Sequence, residues 1–152
     1  MNPITLLVEQ IDLDVETISE VVQPVCATGL VERILVVNDA NRRFDGELCQ
    51  LPCVSLQAPA GSSALLAEVV DQVPSEYLLQ LDCRQPISIV PQSVARLLTA
   101  LRDHRASIVY GNYAVQTAAD LAPRPYPLAD YQTGSLSERF DFGPLRMWSV
   151  AI

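Results

Sequence analysis

The strongest constraint on the fold is an alternation of short apolar, β-branched runs with segments of helical periodicity. The apolar runs predict strands at 4–8, 32–37, 53–56, 77–81 and 107–110. Between them lie three segments whose apolar residues recur at helical spacing: 14–26, 64–73 and 91–102. Because strands that alternate with helices of this length pair in parallel, the pattern predicts βαβ units, and therefore an α/β fold. Further runs at 112–115 and 145–152 predict a prolonged or new strand and a closing strand.

Local signals mark the ends and faces of the predicted helices. Asp14 is a suitable N-cap for the first helix, Pro24 is expected to end or bend it, and Gly29 to close it. The second helix is expected to bury one apolar side, made of Leu65, Leu66, Val69 and Val70.

Length and charge limit the class of protein. At 152 residues and 49% hydrophobic content, the chain fits one domain with its own core. Its N-terminus lacks a basic segment before a long apolar stretch, and no apolar run approaches the ~20 residues that span a bilayer. We therefore expect a cytoplasmic protein. Ten basic against eighteen acidic residues give a net charge of −8, which argues against nonspecific nucleic-acid binding.

The cysteines and the histidine give no strong sign of a metal site. Cys49 and Cys53 are separated by three residues, but no second pair and no suitably spaced His follows them. We therefore predict that these two, with Cys26 and Cys83, are reduced and half-buried. The lone His104 lies late in a predicted helix and receives no catalytic role.

Asp82 is the clearest candidate for a functional side chain. The strand at 77–81 runs directly into it, and Arg84 follows two residues later. A carboxylate at the carboxyl end of a strand in an open α/β sheet lies where such folds bind ligands. Asp82 either contacts a ligand or forms a solvated ion pair with Arg84 at the strand end. Asp39, which follows the strand at 32–37, also has two interpretations. It either contacts a ligand or forms a turn after the strand, because Asp commonly forms turns through local backbone hydrogen bonds.

Several segments, taken in order and spacing, resemble family 2 glycosyltransferases. Residues 36–41, Val-Val-Asn-Asp-Ala-Asn, are similar to the element V-V-D-D-G-S, and residues 59–61 are similar to the turn N-x-G. Asp82 follows Gly61 by twenty-one residues, the offset typical between that glycine and the first Asp of the Asp-X-Asp signature. Weaker similarities lie at 107–111, 131–135 and 140–145.

This resemblance implies the GT-A fold, a Rossmann-like α/β/α sandwich with a mostly parallel sheet. It implies transfer of a sugar from a nucleotide sugar, with a UDP-sugar expected, to a glycan or lipid-linked acceptor. A divalent Mg or Mn ion would neutralise the leaving diphosphate, with Asp82 as its ligand. Asp39 takes the position that holds the base or ribose. The donor contacts carried over are Val8, Glu9, Asp39, Gly61, Asp82 and Arg84.

The sequence also departs from that family. Residues 9–12, Glu-Gln-Ile-Asp, stand where P-x-x-N is expected, and Pro59 replaces an Asn. Arg84 replaces the second Asp of the metal signature, and its guanidinium could instead hold a diphosphate by paired hydrogen bonds. No later acidic pair, the usual source of the general base, precedes Ile152. We therefore expect residues 1–152 to form a donor-binding domain without the acceptor-binding part, with reduced or absent catalysis and no assigned base.

Two other functions remain open. Apolar surface around 145–150 could pair with a second copy, which would make the chain a noncatalytic homodimeric module. A nucleotidyltransferase is the third possibility. It ranks last because residues 9–14 contain no Gly, Lys or Arg, whereas such enzymes generally begin with a Gly-rich basic loop.

The predicted segment from 119 to about 140 is long and irregular, with prolines at 123, 125 and 127. A loop of this length in a compact domain is usually functional or mobile. Three charged residues near its end either close over a donor or form a solvated cluster: Glu138, Arg139 and Asp141.

Overall fold

The predicted α/β fold is confirmed by the computed structural model, which describes residues 3–9, 14–37, 46–59, 62–120, 122–130 and 140–150. Three helices lie in these ranges: α1 (Val15–Cys26), α2 (Ser63–Gln72) and α3 (Pro91–His104). The strands are β1 (Ile4–Glu9), β2 (Val31–Val37), β3 (Gly46–Leu48), β4 (Leu51–Leu56), β5 (Tyr77–Asp82), β6 (Ile108–Tyr110), β7 (Tyr113–Val115), β8 (Arg124–Tyr126) and β9 (Leu145–Ser149).

The main sheet has seven strands in the order β3-β4-β2-β1-β5-β9-β6. β4, β2, β1 and β5 run parallel to one another, as predicted from the βαβ pattern. β3 is antiparallel to β4, and β9 is antiparallel to both β5 and β6. The chain proceeds from β1 outward through β2 and β4, and then returns to the other side of β1 as β5. This reversal creates a topological switch point between β1 and β5.

Helices cover both faces of the sheet and produce three layers. α1 and α3 bury one stripe each in the larger core: Ile18, Val22 and Val25 from α1, and Val94, Leu98 and Leu101 from α3. They pack against one face of β1, which contributes Ile4, Leu6 and Val8. α2 packs on the opposite face through Leu65 and Val69. Alternate residues of β1 and β2, including Leu7 and Leu35, meet α2 because successive side chains of a strand point to opposite faces.

The predicted start of α1 is confirmed in detail. The Asp14 side chain caps the helix, because its Oδ1 accepts a hydrogen bond from the backbone N–H of Thr17 at 2.8 Å. Pro24 lies inside the helix, which continues to Cys26 rather than ending at the proline. Gly29 follows three residues later with a φ of 69°, a conformation that glycine adopts without steric cost.

The prediction that α2 buries four apolar residues is wrong for two of them. Leu65 and Val69 are buried, but Leu66 and Val70 are 66% and 67% exposed. Leu65 and Val69, four residues apart on one face of the helix, join the core between α2 and the sheet, whereas the residue that follows each of them faces outward. Within the predicted apolar patch around β9, Met147 is fully buried against the larger core, while Leu145, Trp148 and Val150 are half-buried.

Two strands were missed because their sequences lack ordinary strand signals. β3 forms a hairpin with β4, and its loop residues Cys49 and Gln50 have φ values of 53° and 63°, as in a type I′ turn. Asn or Gly normally marks such turns. β8 lies inside the segment predicted to be irregular and pairs with β7. The ring of Tyr126 in β8 stacks on the ring of Tyr113 in β7, with the ring centroids 4.8 Å apart.

Cys53 and Cys83 are buried and Cys26 and Cys49 are half-buried, whereas all four were predicted to be half-buried, and no disulfide joins any of these four residues. Burial raises the pKa of the Cys83 thiol to about 12, which keeps it protonated. Among the described residues, no helix combines the length and apolar character that crossing a membrane requires.

Candidate functional site

The candidate site lies at the carboxyl ends of β1 and β5, directly at the switch point. Glu9 and Asp82 are the last residues of these strands and are register partners in the parallel ladder. The backbone N–H of Cys83 donates to the carbonyl of Glu9 at 2.9 Å. On the other side of β5, the N–H of Asp82 donates to the carbonyl of Pro144 at 2.8 Å. Backbone hydrogen bonds from both neighbours therefore hold the end of β5 in place.

Asp82 and Arg84 form a closely bonded pair. The Arg84 Nε lies 2.9 Å from both carboxylate oxygens of Asp82, and the Arg84 Nη2 donates to Oδ2. The backbone N–H of Arg84 also donates to Oδ1 at 3.1 Å, which forms a local turn after the strand. The Asp82 side chain is 14% exposed, whereas the Arg84 side chain is 61% exposed. The carboxylate is thus largely covered, while the guanidinium faces solvent.

The charges of this pair stabilise each other. Burial would raise the pKa of Asp82, but the hydrogen bonds and charge of Arg84 outweigh burial, and Arg146 assists, so that the pKa is lowered. The hydrogen bonds and charge of Asp82 raise the pKa of Arg84, and Glu9 contributes in the same direction. Both side chains are therefore ionised at neutral pH.

Arg146 is a member of the site that the sequence analysis missed. It lies on β9 opposite Gln80, and its Nη2 is 3.8 Å from Oε2 of Glu9. The two side chains are 19% and 18% exposed, and the Arg146 Nε is buried without a hydrogen-bond partner among the described residues. A charged residue between the apolar Leu145 and Met147 was the available signal, because alternation directs it away from the core.

An aromatic cluster borders the site next to Arg146. Tyr110 is the register partner of Arg146 on β6, and its ring makes edge contacts with Phe140 at 6.0 Å and Phe142 at 5.3 Å. The Tyr110 hydroxyl donates to the carbonyl of Ala129 at 2.9 Å. These contacts hold Phe140 and Phe142, which precede β9, and Ala129, which follows β8, against the end of β6.

Asp141, one of the late charged residues, has a local structural role. Its Oδ1 accepts from the N–H of Gly143 at 2.7 Å, and its Oδ2 accepts from the Tyr113 hydroxyl at 3.4 Å. These bonds support the turn before β9, and the alternatives of a loop that closes over a donor and a solvated cluster stay predictions. Glu138 and Arg139 lie outside the described residues.

The other predicted donor contacts divide into two groups. Glu9, Asp82 and Arg84 come together at one edge of the sheet, as described above. Val8 is fully buried in the larger core, so its side chain faces α1 and α3 rather than a ligand. Asp39 and Gly61 lie outside the described residues. The assignment of all six as donor contacts stays a prediction.

The surroundings of Asp82 bear directly on the predicted metal ion. Mg and Mn prefer several oxygen ligands with accessible lone pairs. Both oxygens of Asp82 already accept hydrogen bonds from Arg84, and Arg84 stands where a second carboxylate was expected. In the part of the chain that the structure describes, no three His, Cys, Asp or Glu side chains gather as metal ligands. These donors fit a divalent cation poorly, and Asp82 as a metal ligand stays a prediction.

Comparison with known proteins gives a clear result for the fold. No model of a protein family matches the sequence, and no curated protein matches it. Solved structures do match. A 4-diphosphocytidyl-2C-methyl-D-erythritol synthase from Anaerococcus prevotii has a TM-score of 0.59 at 13% identity, over 97% of this chain and 71% of that one. A CMP:2-keto-3-deoxy-manno-octonic acid synthetase in complex with CTP has 0.56 at 14%, over 97% and 74%.

A glycosyltransferase is also similar to the chain. Glucosyl-3-phosphoglycerate synthase from Mycobacterium tuberculosis, in complex with Mn²⁺, UDP-glucose and glycerol 3-phosphate, has a TM-score of 0.52 at 16% identity. The match covers 72% of this chain and 43% of that enzyme, so the chain spans less than half of its length. The chain therefore has the GT-A-like α/β fold that glycosyltransferases and nucleotidyltransferases share. At these identities, the likeness does not single out family 2.

Proposed function

We propose that this domain binds a nucleotide sugar at the edge formed by β1 and β5, as the donor site of a sugar-transferring protein. The observation that carries the proposal is the position of Glu9 and Asp82, side by side at the topological switch point of the sheet. Open α/β sheets bind ligands in the crevice at this point. The similarity to solved structures that contain UDP-glucose or CTP supports a nucleotide as the ligand.

The finer parts of the proposal follow the sequence resemblance. The donor is a UDP-sugar, the acceptor is a glycan or a lipid-linked molecule, the family is family 2, and the location is the cytoplasm. Asp39 would contact the uracil or ribose, while Asp82 and Arg84 would lie beside the diphosphate. We assign no general base, and we propose that this chain binds a donor more readily than it transfers the sugar.

Ligand-dependent stabilisation tests the donor site. UDP and UDP-glucose should each raise the melting temperature, because a ligand that binds only the folded state stabilises it by about 2.7 kcal/mol at 100 times its Kd. Uridine alone should raise it less. Titration in the presence of Mn²⁺ tests metal-dependent binding of the diphosphate, and a separate titration in EDTA tests metal-free binding.

Two matched variants locate the binding in the structure. Asp82→Asn should weaken the stabilisation by UDP, because Arg84 loses the charge that orients its guanidinium. Asp103→Asn is the control, because Asp103 is exposed near the end of α3. The absence of any shift with millimolar UDP, UDP-glucose or CTP, with or without Mn²⁺, would contradict the proposed function.

A nucleotidyltransferase is the second candidate, and the similarity to a synthetase in complex with CTP supports it. The extent of the structural match does not separate the two classes, because the glycosyltransferase TarS from S. aureus also matches over 97% of this chain, with a TM-score of 0.56 at 11% identity. The absence of Gly, Lys and Arg from residues 9–14 opposes it. Stronger stabilisation by CTP or UTP than by UDP-glucose, together with release of pyrophosphate, would favour this candidate over the first.

A noncatalytic homodimer is less well supported than either enzyme class. The similar structures are enzymes, and Met147, at the centre of the expected patch, is buried. The homodimer stays a prediction that light scattering at high protein concentration can test. A monomer at all concentrations would exclude it.

A further inference from the structure

We propose that two arginines, Arg84 and Arg146, bind the diphosphate of the nucleotide at this site in place of a divalent cation. The inference rests on the proposed nucleotide site and names the groups that bind its charged part. The site contains two carboxylates, Glu9 and Asp82, and two guanidinium groups within one cluster. Arg84 comes from the turn after β5 and Arg146 from β9, so the two cations approach the strand ends from different elements.

The charge balance of the cluster favours this substitution. Mg²⁺ in phosphate-binding sites is usually held by one or two carboxylates together with the substrate phosphates. Two carboxylates and one divalent cation sum to zero, and so do Glu9, Asp82, Arg84 and Arg146 with two charges of each sign. The arginines therefore supply the positive charge that a metal ion would supply, without an exchangeable ion. A divalent cation added to the cluster would have to displace Arg84 from both oxygens of Asp82.

Arg84 has the geometry to bridge Asp82 and a ligand. A guanidinium carries five N–H donors in a planar fork, and the bonds to Asp82 come from Nε and Nη2. The side chain is 61% exposed, so a phosphate oxygen can approach it from solvent. Asp82 then fixes the orientation of the guanidinium before the ligand arrives, which reduces the entropy lost on binding. Asp82 is thus a positioning residue in this arrangement.

Arg146 has capacity for a further partner. Its 3.8 Å separation from Glu9 exceeds hydrogen-bond length, so the pair is held by charge alone. Its Nε is buried and lacks a hydrogen-bond partner among the described residues, an arrangement that costs free energy. The side chain as a whole is 19% exposed, and this exposed part is what a phosphate oxygen would approach. The charge of Arg146 also contributes to lowering the pKa of the Asp82 carboxyl, after the hydrogen bonds and charge of Arg84.

The test distinguishes binding of the diphosphate from binding of the nucleoside, and binding through a metal ion from binding through the arginines. Binding of UDP, uridine and inorganic pyrophosphate is measured by calorimetry or NMR, each in EDTA and in Mn²⁺. We expect UDP and pyrophosphate to bind in EDTA, with affinities that Mn²⁺ changes by less than about threefold. Arg84→Gln and Arg146→Gln should each weaken UDP and pyrophosphate binding in EDTA by about tenfold or more, since each removes charged hydrogen bonds. Uridine binding should stay unchanged.

Arg105→Gln is the matched control, since it removes the same charge from an exposed residue at the other end of the sheet. Arg105 follows α3, and β6 then begins level with the start of β5, because Ile108 and Leu78 share Trp148 as register partner. This variant should bind UDP as the unchanged protein does. Arg146→Lys, which keeps the positive charge, is measured beside Arg146→Gln. The melting temperature of each variant without ligand shows whether a loss of binding is caused by a loss of folding.

Arg84→Asp provides the reverse test, because it places two carboxylates in the Asp-X-Asp spacing. It should bind UDP only when Mn²⁺ is present. If the unchanged protein binds UDP in Mn²⁺ but not in EDTA, or if the arginine variants bind as Arg105→Gln does, the two-arginine site is overturned while the proposed function stands. If UDP, uridine and pyrophosphate all fail to bind under both conditions, the proposed function and this inference fail together.

Discussion

At the residue scale, the environment of Asp82 depends on three side chains from three parts of the chain. Arg84 covers both of its oxygens, Glu9 lies beside it across the parallel ladder, and Arg146 adds charge from β9. The motif around Asp82 was readable in the sequence, and so was the possibility of an ion pair with Arg84. The role of Arg146 was not, because it depends on the antiparallel pairing of β9 with β5.

The stability that Asp82 contributes should depend on pH. Its pKa is lowered in the folded state, so the charge contributes stability above the unfolded-state pKa of about 3.9 and loses it as the pH falls through the folded-state pKa. Asp82→Asn should therefore be less stable than the unchanged protein at pH 7, by about 1 kcal/mol. This difference should shrink as the pH falls toward about 2.

Urea unfolding of both proteins at several pH values measures this difference. Asp103→Asn, at an exposed position on α3, should differ from the unchanged protein by less than about 0.5 kcal/mol at pH 7. A stability difference for Asp82→Asn that stays constant from pH 7 to the acid limit would contradict the assigned ion pair.

At the element scale, helical periodicity located the helices but overstated the buried face of α2. The sequence offers two adjacent apolar pairs, Leu65 with Val69 and Leu66 with Val70. Only the first pair joins the core that α2 forms with β1, β2 and β4, where it packs with Leu7, Leu35, Val37 and Leu56. Periodicity cannot distinguish a narrow stripe from a wide one when both carry apolar residues. The neighbours of the helix decide which stripe is buried.

Two adjacent leucines of α2 give a direct test of this packing. Leu65 is 2% exposed and Leu66 is 66% exposed. Leu65→Ala should lower the free energy of unfolding by about 2–4 kcal/mol, because it removes buried methyl groups and leaves a cavity. Leu66→Ala should change it by less than about 0.5 kcal/mol, since its side chain is already hydrated. Urea titrations measure both, and equal losses would show that α2 packs differently.

At the scale of the whole molecule, two segments that are separate in the sequence, 111–128 and 140–144, pack against each other beside the candidate site. The β7–β8 hairpin, the segment after it and the turn before β9 meet at Gly143. A Cβ at Gly143 would lie 2.9 Å from Cδ1 of Leu128 and 3.4 Å from Cδ1 of Tyr113. This close approach joins the small hairpin to the strand that carries Arg146.

A pair of glycines separates this packing from backbone strain. Gly143 and Gly29 both have a φ of 69°, but a Cβ at Gly29 would meet nothing within 4 Å. Gly29→Ala should therefore cost only the left-handed conformation, about 1–2 kcal/mol. Gly143→Ala should cost about 1–3 kcal/mol more, because side chains must also move. Thermal unfolding measures both losses of stability. Equal losses would indicate that Leu128 and Tyr113 move aside for the added methyl group at little cost in free energy.

The sequence by itself determined the α/β class, the three helices and the parallel strands, because these follow from periodicity within single segments. It also located Glu9 and Asp82 at strand ends, through the transition from apolar to charged residues. Strands β3 and β8 escaped prediction, since a Cys-Gln turn and a proline-rich segment carry no ordinary strand signal.

Only the tertiary structure decided which strand ends are neighbours. The sheet order brings Glu9 against Asp82 and brings β9 back beside β5, so that Arg146 joins a cluster otherwise formed near β1 and β5. The physical reason is that strand pairing joins residues far apart in the chain, and local patterns contain no record of their register. In the sequence, Asp82 has only Arg84 as a nearby charged partner. Strand pairing adds Glu9 and Arg146, so that the site contains two carboxylates and two guanidinium groups.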